Sequence, residues 1–308
     1  MRVISALGLM SGTSLDGIDV AMVATDGLGQ VVPGPALTLP YPAPFRERLR
    51  AVLGTLGPAA EVEAELTRLH AEAVEEFRAR HPEFAVEIIG FHGHTILHRP
   101  AERRTWQLGD GAALAARLGV DVVADFRSAD VMAGGEGAPL APLYHAALAA
   151  PLPKPVAILN IGGVANVTWI GGGGDILAFD TGPGNAPIDD WVRRHTGAAA
   201  DFDGRIATAG RVSEAHVAQF LAHPYFDRPP PKSLDRDDFR DAMPTGLSLE
   251  EDAATLTEMT AAAVGAARRH FPAPVHEWLV CGGGRRNPAL MAALARVLAT
   301  PVRPVEAV

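Results

Sequence analysis

Two stretches decide the fold when read side by side: LGLMSGTSLDGIDVAMV, residues 7–23, and AILNIGGVANVTWI, residues 157–170. Each runs apolar, breaks at glycines among small polar residues, and runs apolar again. That is the pattern of a hairpin of buried strands around a tight turn. In the first, Gly12 and Gly17 permit positive φ and close backbone approach, while Thr13 and Ser14 add hydroxyl donors. Such a turn can gather N–H groups into an anion nest, with Asp16 facing a metal bound to phosphates. In the second, Asn160 and Asn166 flank the turn. One hairpin of this kind reads equally as an ordinary strand connection. Two, each opening half of the chain, read as a pair of clamps on one polyphosphate.

Working outward, strands are expected at Val3–Met10 and Ile18–Thr25, with a third over Leu28–Leu39 interrupted by Pro33 and Pro35. A helix follows from Pro58 to Arg80, with Val62, Leu66, Leu69, Val74 and Phe77 on one face. Short strands at Glu87–Phe91, Thr105–Leu108 and Asp121–Ala124 alternate with helices at Asp110–Leu118 and Ala138–Ala149. PLPKP, residues 151–155, reads as a linker, and beyond it the pattern restarts. Strands at Val156–Asn160, Val164–Ile170 and Ile176–Phe179 precede helices from Asn185, over Arg211–Ala222 and over Ser248–His270. Ser248 and Glu251 form the S-x-x-E of a capping box. A strand at Trp278–Cys281 and a helix at Asn287–Leu298 complete the order. The repeat predicts two similar α/β domains, 1–150 and 155–308, with a ligand cleft between them.

Two further segments carry chemistry. In ILAFDTGPGNAPIDDW, residues 176–191, an apolar run ends in Asp180 before a glycine-rich turn. A carboxylate fixed at a strand end can take a proton from a nucleophile, or simply cap the turn or the helix that follows. In CGGGRRNPALMAAL, residues 281–294, three glycines join a strand to a helix. That lets backbone approach a flat ligand or a phosphate at a helix N-terminus, although alone it reads as a tight turn. It is neither G-x-G-x-x-G nor a Walker A sequence.

Bulk properties narrow the field. Hydrophobic residues make up 48% of 308, enough for a sizeable core. The net charge of −9 argues against a nucleic-acid surface, which needs basic patches, but not against a nucleotide held by N–H groups and a metal. A single cysteine, Cys281, permits no disulfide framework and suits a reducing cytosol. No apolar run reaches the roughly 18 residues of a membrane span, and the N-terminus reads as a strand rather than a signal peptide.

Taken together, GLMSGTSLDGIDV, FHGHT, QLGDGAALA, DFRSADVMAGGEGAPLAP, NIGGVANVT, FDTGPGN and CGGGRRN cover nearly the whole chain in order. This set resembles the anhydro-N-acetylmuramic acid kinase family, within the actin, Hsp70 and sugar-kinase superfamily. The resemblance implies two actin-like, ribonuclease H-like α/β domains around a central nucleotide and substrate cleft. It implies ATP and Mg²⁺, a cytoplasmic homodimer, and hydrolytic opening of 1,6-anhydro-N-acetylmuramic acid with phosphorylation of O6 in cell-wall recycling. Its phosphate loop falls on Gly12, Thr13, Ser14, Leu15, Asp16, Gly17, Ile18 and Asp19, and its second phosphate motif on Asn160, Gly162, Gly163 and Asn166. Its adenosine motif falls on Gly282, Gly283, Gly284 and Asn287, and its catalytic aspartate on Asp180, the base on water.

His92, Asp110, Arg127, Asp130 and Gly182 match the family's sugar-facing positions. Arg127 suits the lactyl carboxylate of a muramic sugar, or else an ion pair with Asp125 or Asp130. His92, His94 and His98 read as buried or sugar-contacting imidazoles, with a metal site the weaker alternative. The proline-rich 220–239 region is read as a lid or a dimer contact. The chain departs from the family at His94, where Gln is usual, and at Glu136, also usually Gln. It is expected to lack a C-terminal helix that family members carry. The rival readings are a same-fold kinase for another sugar, a truncated inactive relative, and a nucleotide-dependent binding protein.

Overall fold

The computed structural model describes residues 2–12, 15–235, 238–244 and 246–307. By internal packing the chain divides into two units, Met1–Gly137 and Ala138–Val308.

In the first unit β1 (Ile4–Ser11), β2 (Gly17–Thr25) and β3 (Val31–Pro40) form an antiparallel meander. Two helices, α1 (Ala43–Val52) and α2 (Ala60–Arg80), lead to β4 (Ile88–Arg99), which pairs parallel with β1. The first half of β4 pairs parallel with β6 (Asp121–Ala124), and its second half pairs antiparallel with β5 (Arg104–Leu108). Helix α3 (Gly111–Leu118) is set by its ends: Asp110 Oδ1 accepts from Ala113 N, and Gly119 closes the helix in the left-handed region. A short α4 (Ser128–Ala133) follows.

The sequence placed Leu69 on the buried face of α2. The structure adds His70 to that face, fully buried with Val62, Leu66, Val74 and Phe77, while Leu69 is half-buried and packs against the same core. The spacing 62, 66, 70, 74, 77 is the better helical stripe. Helix α1 escaped the sequence reading. Strand β4 runs eight residues past the predicted end because FHGHT continues the strand through Gly93, whose φ is +68°.

The second unit opens with α5 (Pro142–Leu148), shorter than the predicted 138–149 helix and started by Pro142. It packs on the following sheet, where Ala146 and Ala149 meet Val156 and Ile158. Strands β7 (Val156–Ile161), β8 (Val164–Ile170) and β9 (Ile176–Pro183) form the antiparallel meander. Helices α6 (Ala186–Thr196), α7 (Arg205–Ala209), α8 (Glu214–Leu221) and α9 (Leu249–Ala267) follow. Strand β10 (Trp278–Cys281) then pairs parallel with β7, helix α10 (Pro288–Leu298) returns, and β11 (Val302–Pro304) lies parallel to β10. The capping box of Ser248 and Glu251 starts α9 as expected.

Counted within its own unit, each sheet reads third, second, first, fourth, last strand, with β6 and β11 in the last place. Three antiparallel strands followed by parallel ones in this order are the ribonuclease H-like pattern of the actin superfamily. The second unit adds a core of its own beside α9, where Phe220, Tyr225, Phe226, Leu234 and Phe239 are buried against Leu256 and Met259. The proline-rich region expected as a lid or dimer contact is thus anchored by buried aromatics, each worth about 1.5–3 kcal/mol of apolar burial.

Candidate active site

In the first unit the turn between β1 and β2 is pinned from below. Leu15, at φ +62°, buries its side chain in the core while its N–H donates to Gly12 O at 3.0 Å. A left-handed leucine is strained, and burial of its side chain holds it there. Tyr41 N–H donates to Asp16 O at 3.1 Å. Gly17 is required by the neighbouring strand, because a Cβ there would lie 2.1 Å from Leu39 O. Ile18 is a core residue. Asp16 and Asp19 are exposed, and Asp19 Oδ1 accepts from Thr38 Oγ1 at 2.5 Å. Thr13 and Ser14 lie outside the described residues.

Beneath the hairpin runs a buried polar chain. Tyr41 OH donates to Ser11 Oγ at 2.6 Å, and Ser11 Oγ lies 2.7 Å from His94 Nδ1. Burial pushes the Tyr41 phenol up and His94 down to about 3. His94 Nε2 and His70 Nε2 are buried without a hydrogen-bond partner among the described residues. His70 is held down to about 4 by the same desolvation.

Arg127 is held by an imidazole and a backbone carbonyl. Its Nε and Nη2 donate to His92 Nε2 at 3.1 and 2.9 Å, and its Nη1 donates to Gly137 O at 2.6 Å. His92 Nε2 must therefore be unprotonated, which leaves Nδ1–H to donate to Gly93 O at 2.9 Å. Burial, then the Arg127 charge, lowers His92 to about 4. Asp130 Oδ2 accepts from Gly137 N at 2.7 Å, so His92, Arg127 and Asp130 converge on the 135–137 turn. Asp110 is the exposed cap of α3.

In the second unit the strand register lines up the predicted residues. Cys281 of β10 pairs with Asn160 of β7, Asn160 with Asn166 of β8, and Asn166 with Asp180 of β9. Directly paired residues share a sheet face, so these four form one row, spaced at about 4.8 Å per strand. Asp180 is not at a strand tip, as the sequence suggested, because β9 continues to Pro183. A register shift between Ala165 and Asn166 makes Thr181 the extra residue of β9. Such a bulge re-aims neighbouring side chains.

Asp180 is 5% exposed. Its Oδ2 accepts from Leu234 N at 2.9 Å, its N–H donates to Lys232 O at 3.1 Å, and its carbonyl accepts from Tyr225 OH at 2.5 Å. These three partners come from the 225–234 segment, which sequence reading did not connect with Asp180. Its polar Lys-Ser pair after three prolines was the only local signal.

Three glycine turns meet at Asn185. Its N–H donates to Gly162 O at 2.7 Å and its Nδ2 to Ile161 O at 3.3 Å, while Gly184 N donates to Gly163 O at 2.9 Å. A Cβ on Gly184 would lie 2.3 Å from Gly162 O. On the other side Gly282, at φ +77° and ψ 178°, sits where a Cβ would lie 2.5 Å from Asn160 Oδ1 and Ile161 O. That backbone region is essentially glycine-only. A Cβ on the exposed Gly283 would come within 3.4 Å of Asn185 Nδ2, and Gly284 is buried against Ile161. Asn160, Gly162, Gly163 and the 282–284 turn are thus brought together. Asn287 caps α10, its Oδ1 accepting from Ala289 N and Leu290 N at 3.0 and 3.2 Å. Gly182 faces helix α9, where a Cβ would meet Ala263 at 2.8 Å, which gives it a packing role.

Among the described residues no group of three or more His, Cys, Asp or Glu could hold a metal ion, and no helix is long and apolar enough to cross a membrane.

Residues 4–306 match the family profile described as anhydro-N-acetylmuramic acid kinase. A relative of that name from Paramagnetospirillum magneticum is 59% identical over 308 residues, covering 98% of this chain and 87% of its own. One from Rhodospirillum rubrum is 54% identical, covering 98% and 82%. Among solved structures, component A of (R)-2-hydroxyglutaryl-CoA dehydratase from Acidaminococcus fermentans aligns at 11% identity over 98% of this chain and 91% of that one, with a TM-score of 0.49.

Proposed function

The chain belongs to the anhydro-N-acetylmuramic acid kinase family, and from that premise we propose that it converts 1,6-anhydro-N-acetylmuramic acid, ATP and water to N-acetylmuramic acid 6-phosphate and ADP in cell-wall recycling. Water attacks C1, the C1–O6 bond breaks, and O6 takes the γ-phosphoryl group as the β–γ bridge bond breaks. Asp180 accepts the proton of the attacking water. A positioned carboxylate base contributes about 10²–10⁴ in rate. The charge developing on O6 is consumed by phosphorylation, so the remaining work is orientation and charge neutralisation.

The observation that carries this reading is the row Asn160, Asn166, Asp180 across one sheet face. It sets a buried carboxylate one strand spacing from Asn166 and two, roughly 10 Å, from Asn160, both assigned to phosphate. That span suits a phosphoryl acceptor lying between base and nucleotide. The phosphates are assigned to Gly12–Asp19 and to Asn160, Gly162, Gly163 and Asn166. The adenosine is assigned to Gly282, Gly283, Gly284 and Asn287, where backbone approaches closely. His92, Arg127 and Asp130 are the sugar contacts that the geometry favours, with Arg127 oriented toward the lactyl carboxylate by His92. Asp110 and Gly182, committed to a cap and to packing, are weaker members of that set.

The exposed Asp16 carboxylate fits a magnesium ion held mainly by ATP oxygens, the usual mode for an ion that keeps one or two protein carboxylates. When bound, magnesium would neutralise charge on the β- and γ-phosphates. The proposal extends to a homodimer working in the cytosol.

The decisive experiment is Asp180→Asn, with mass spectrometry of the sugar product. Turnover should fall about 10²–10⁴-fold while nucleotide affinity stays within twofold. Near-normal turnover would remove Asp180 from the base role.

A further inference from the structure

The segment that holds Asp180 is itself tied by one buried cation. Lys232 is 2% exposed, and its Nζ donates to Tyr225 O at 3.1 Å and lies 3.3 Å from His270 Nε2. The ammonium also sits 4.6 Å from the centroid of the Tyr225 ring and 5.4 Å from that of Phe179. Phe179 is fully buried and packs edge-on against His270, with ring centroids 5.6 Å apart. A buried ammonium costs several kcal/mol unless carbonyls and aromatic faces replace its water. Here one carbonyl, one imidazole and two rings do so.

The arrangement links both ends of one segment to one residue. Tyr225 holds the Asp180 carbonyl through its hydroxyl, Lys232 holds the Asp180 N–H through its own carbonyl, and Leu234 N–H holds Oδ2. The bond from Lys232 Nζ to Tyr225 O closes the segment across residues 226–231, so the three contacts keep a fixed spacing. The rings under the ammonium belong to the neighbour of Asp180 in sequence and to its hydroxyl donor.

We propose that Lys232 is a positioning residue for Asp180, its side chain locking the 225–234 segment so that the carboxylate keeps one orientation toward the attacking water. This rests on Asp180 being the base. Misplacing a reacting group by about 1 Å costs on the order of 10²-fold, so a loosened clamp shows in turnover before it shows in nucleotide binding. A purely structural lysine would lower stability and leave the turnover of the folded enzyme unchanged.

The test is a mutant cycle on the full chain with Mg·ATP and 1,6-anhydro-N-acetylmuramic acid, reading kcat and KM below the melting temperature of every variant. Lys232→Met keeps the apolar stem and removes the donor. Its kcat should fall at least 10-fold with KM for ATP within twofold, and Lys232→Arg should recover part of the loss. Lys232→Met/Asp180→Asn should be no slower than Asp180→Asn alone, because the lysine acts through the carboxylate. Should Lys232→Met not fold, Tyr225→Phe removes only the hydroxyl on the Asp180 carbonyl, and its kcat should fall about threefold or more. Wild-type kcat in Lys232→Met, or in Tyr225→Phe where that variant stands in, with Asp180→Asn impaired, overturns the positioning role alone. Losses that multiply in the double variant overturn it as well. Wild-type kcat in Asp180→Asn overturns the base assignment itself, whatever Lys232 does.

Discussion

The two sheets share a strand order but place their carboxylates differently. At equivalent positions, third residue into the second strand, the first unit has Asp19 and the second Asn166. On the third strand opposite them stand Thr38 and Asp180. Thus the row reads Met10, Asp19, Thr38 in one unit and Asn160, Asn166, Asp180 in the other. Asp19 is exposed and tied to a hydroxyl, whereas Asp180 is 5% exposed and clamped by backbone from a distant segment. The fold supplies two similar frames. The added 185–243 region makes one of them a place where a carboxylate can be buried with its orientation fixed.

Their interiors differ in the same sense. The first unit buries four histidines, His70, His92, His94 and His98, and burial keeps the first three as neutral imidazoles. The second buries His145, held near 4, and the carboxyl of Asp252, which burial pushes up and whose oxygens have no hydrogen-bond partner among the described residues.

The largest expected effect tests the close-packed turns that both frames use. Gly17→Ala and Gly184→Ala each drive a Cβ into a backbone carbonyl, at 2.1 and 2.3 Å, and should each cost about 3 kcal/mol. Gly162→Ala, with its nearest contact at 3.5 Å, is the control, expected within about 0.5 kcal/mol. Urea unfolding reads all three. A near-neutral Gly184→Ala would mean that the second unit's turns are looser than those of the first.

Next comes acid. An unfolded histidine binds its proton near pH 6.5, but His70, His92 and His94 in the folded chain wait until about 4, 4 and 3. Between those limits the unfolded state binds more protons, so their stability is whole above pH 6.5 and lost progressively toward pH 4. Each imidazole contributes a slope of up to about 1.4 kcal/mol per pH unit. Asp252, with its raised carboxyl, works oppositely, favouring the fold as pH falls. Amide hydrogen exchange at pH 7 and 5 should therefore show protection lost first in residues 2–137. His94→Gln, which removes one of these buried imidazoles, should make that pH dependence shallower. Equal loss in both units would break the comparison.

The smallest effect concerns the helix caps. Asp110→Ala and Asn287→Ala each remove a side-chain acceptor at a helix start, and each should lower stability by about 1 kcal/mol. The readout that separates the units is KM. A sugar role for Asp110 would raise KM for the sugar, and an adenosine role for Asn287 would raise KM for ATP. Unchanged KM values would leave both as caps alone.

Sequence alone determined the repeated meander, because alternating apolar runs broken by glycines bury only one way, and it determined the capping box, which is a local exchange of hydrogen bonds. It also marked Asp180, Asn160 and the 282–284 turn, where a polar residue or a run of glycines interrupts an apolar stretch. It did not determine that Asn160, Asn166 and Asp180 share a row, since register depends on pairing between strands and on the bulge at Thr181. Nor could it find the ties from Tyr225, Lys232 and Leu234 to Asp180, or the bond from His92 to Arg127. Those partners lie 35–54 residues apart, as with His92 and Arg127 at one end and Asp180 and Leu234 at the other. Nothing in local periodicity encodes such contacts; packing of the tertiary structure alone brings them within hydrogen-bond reach.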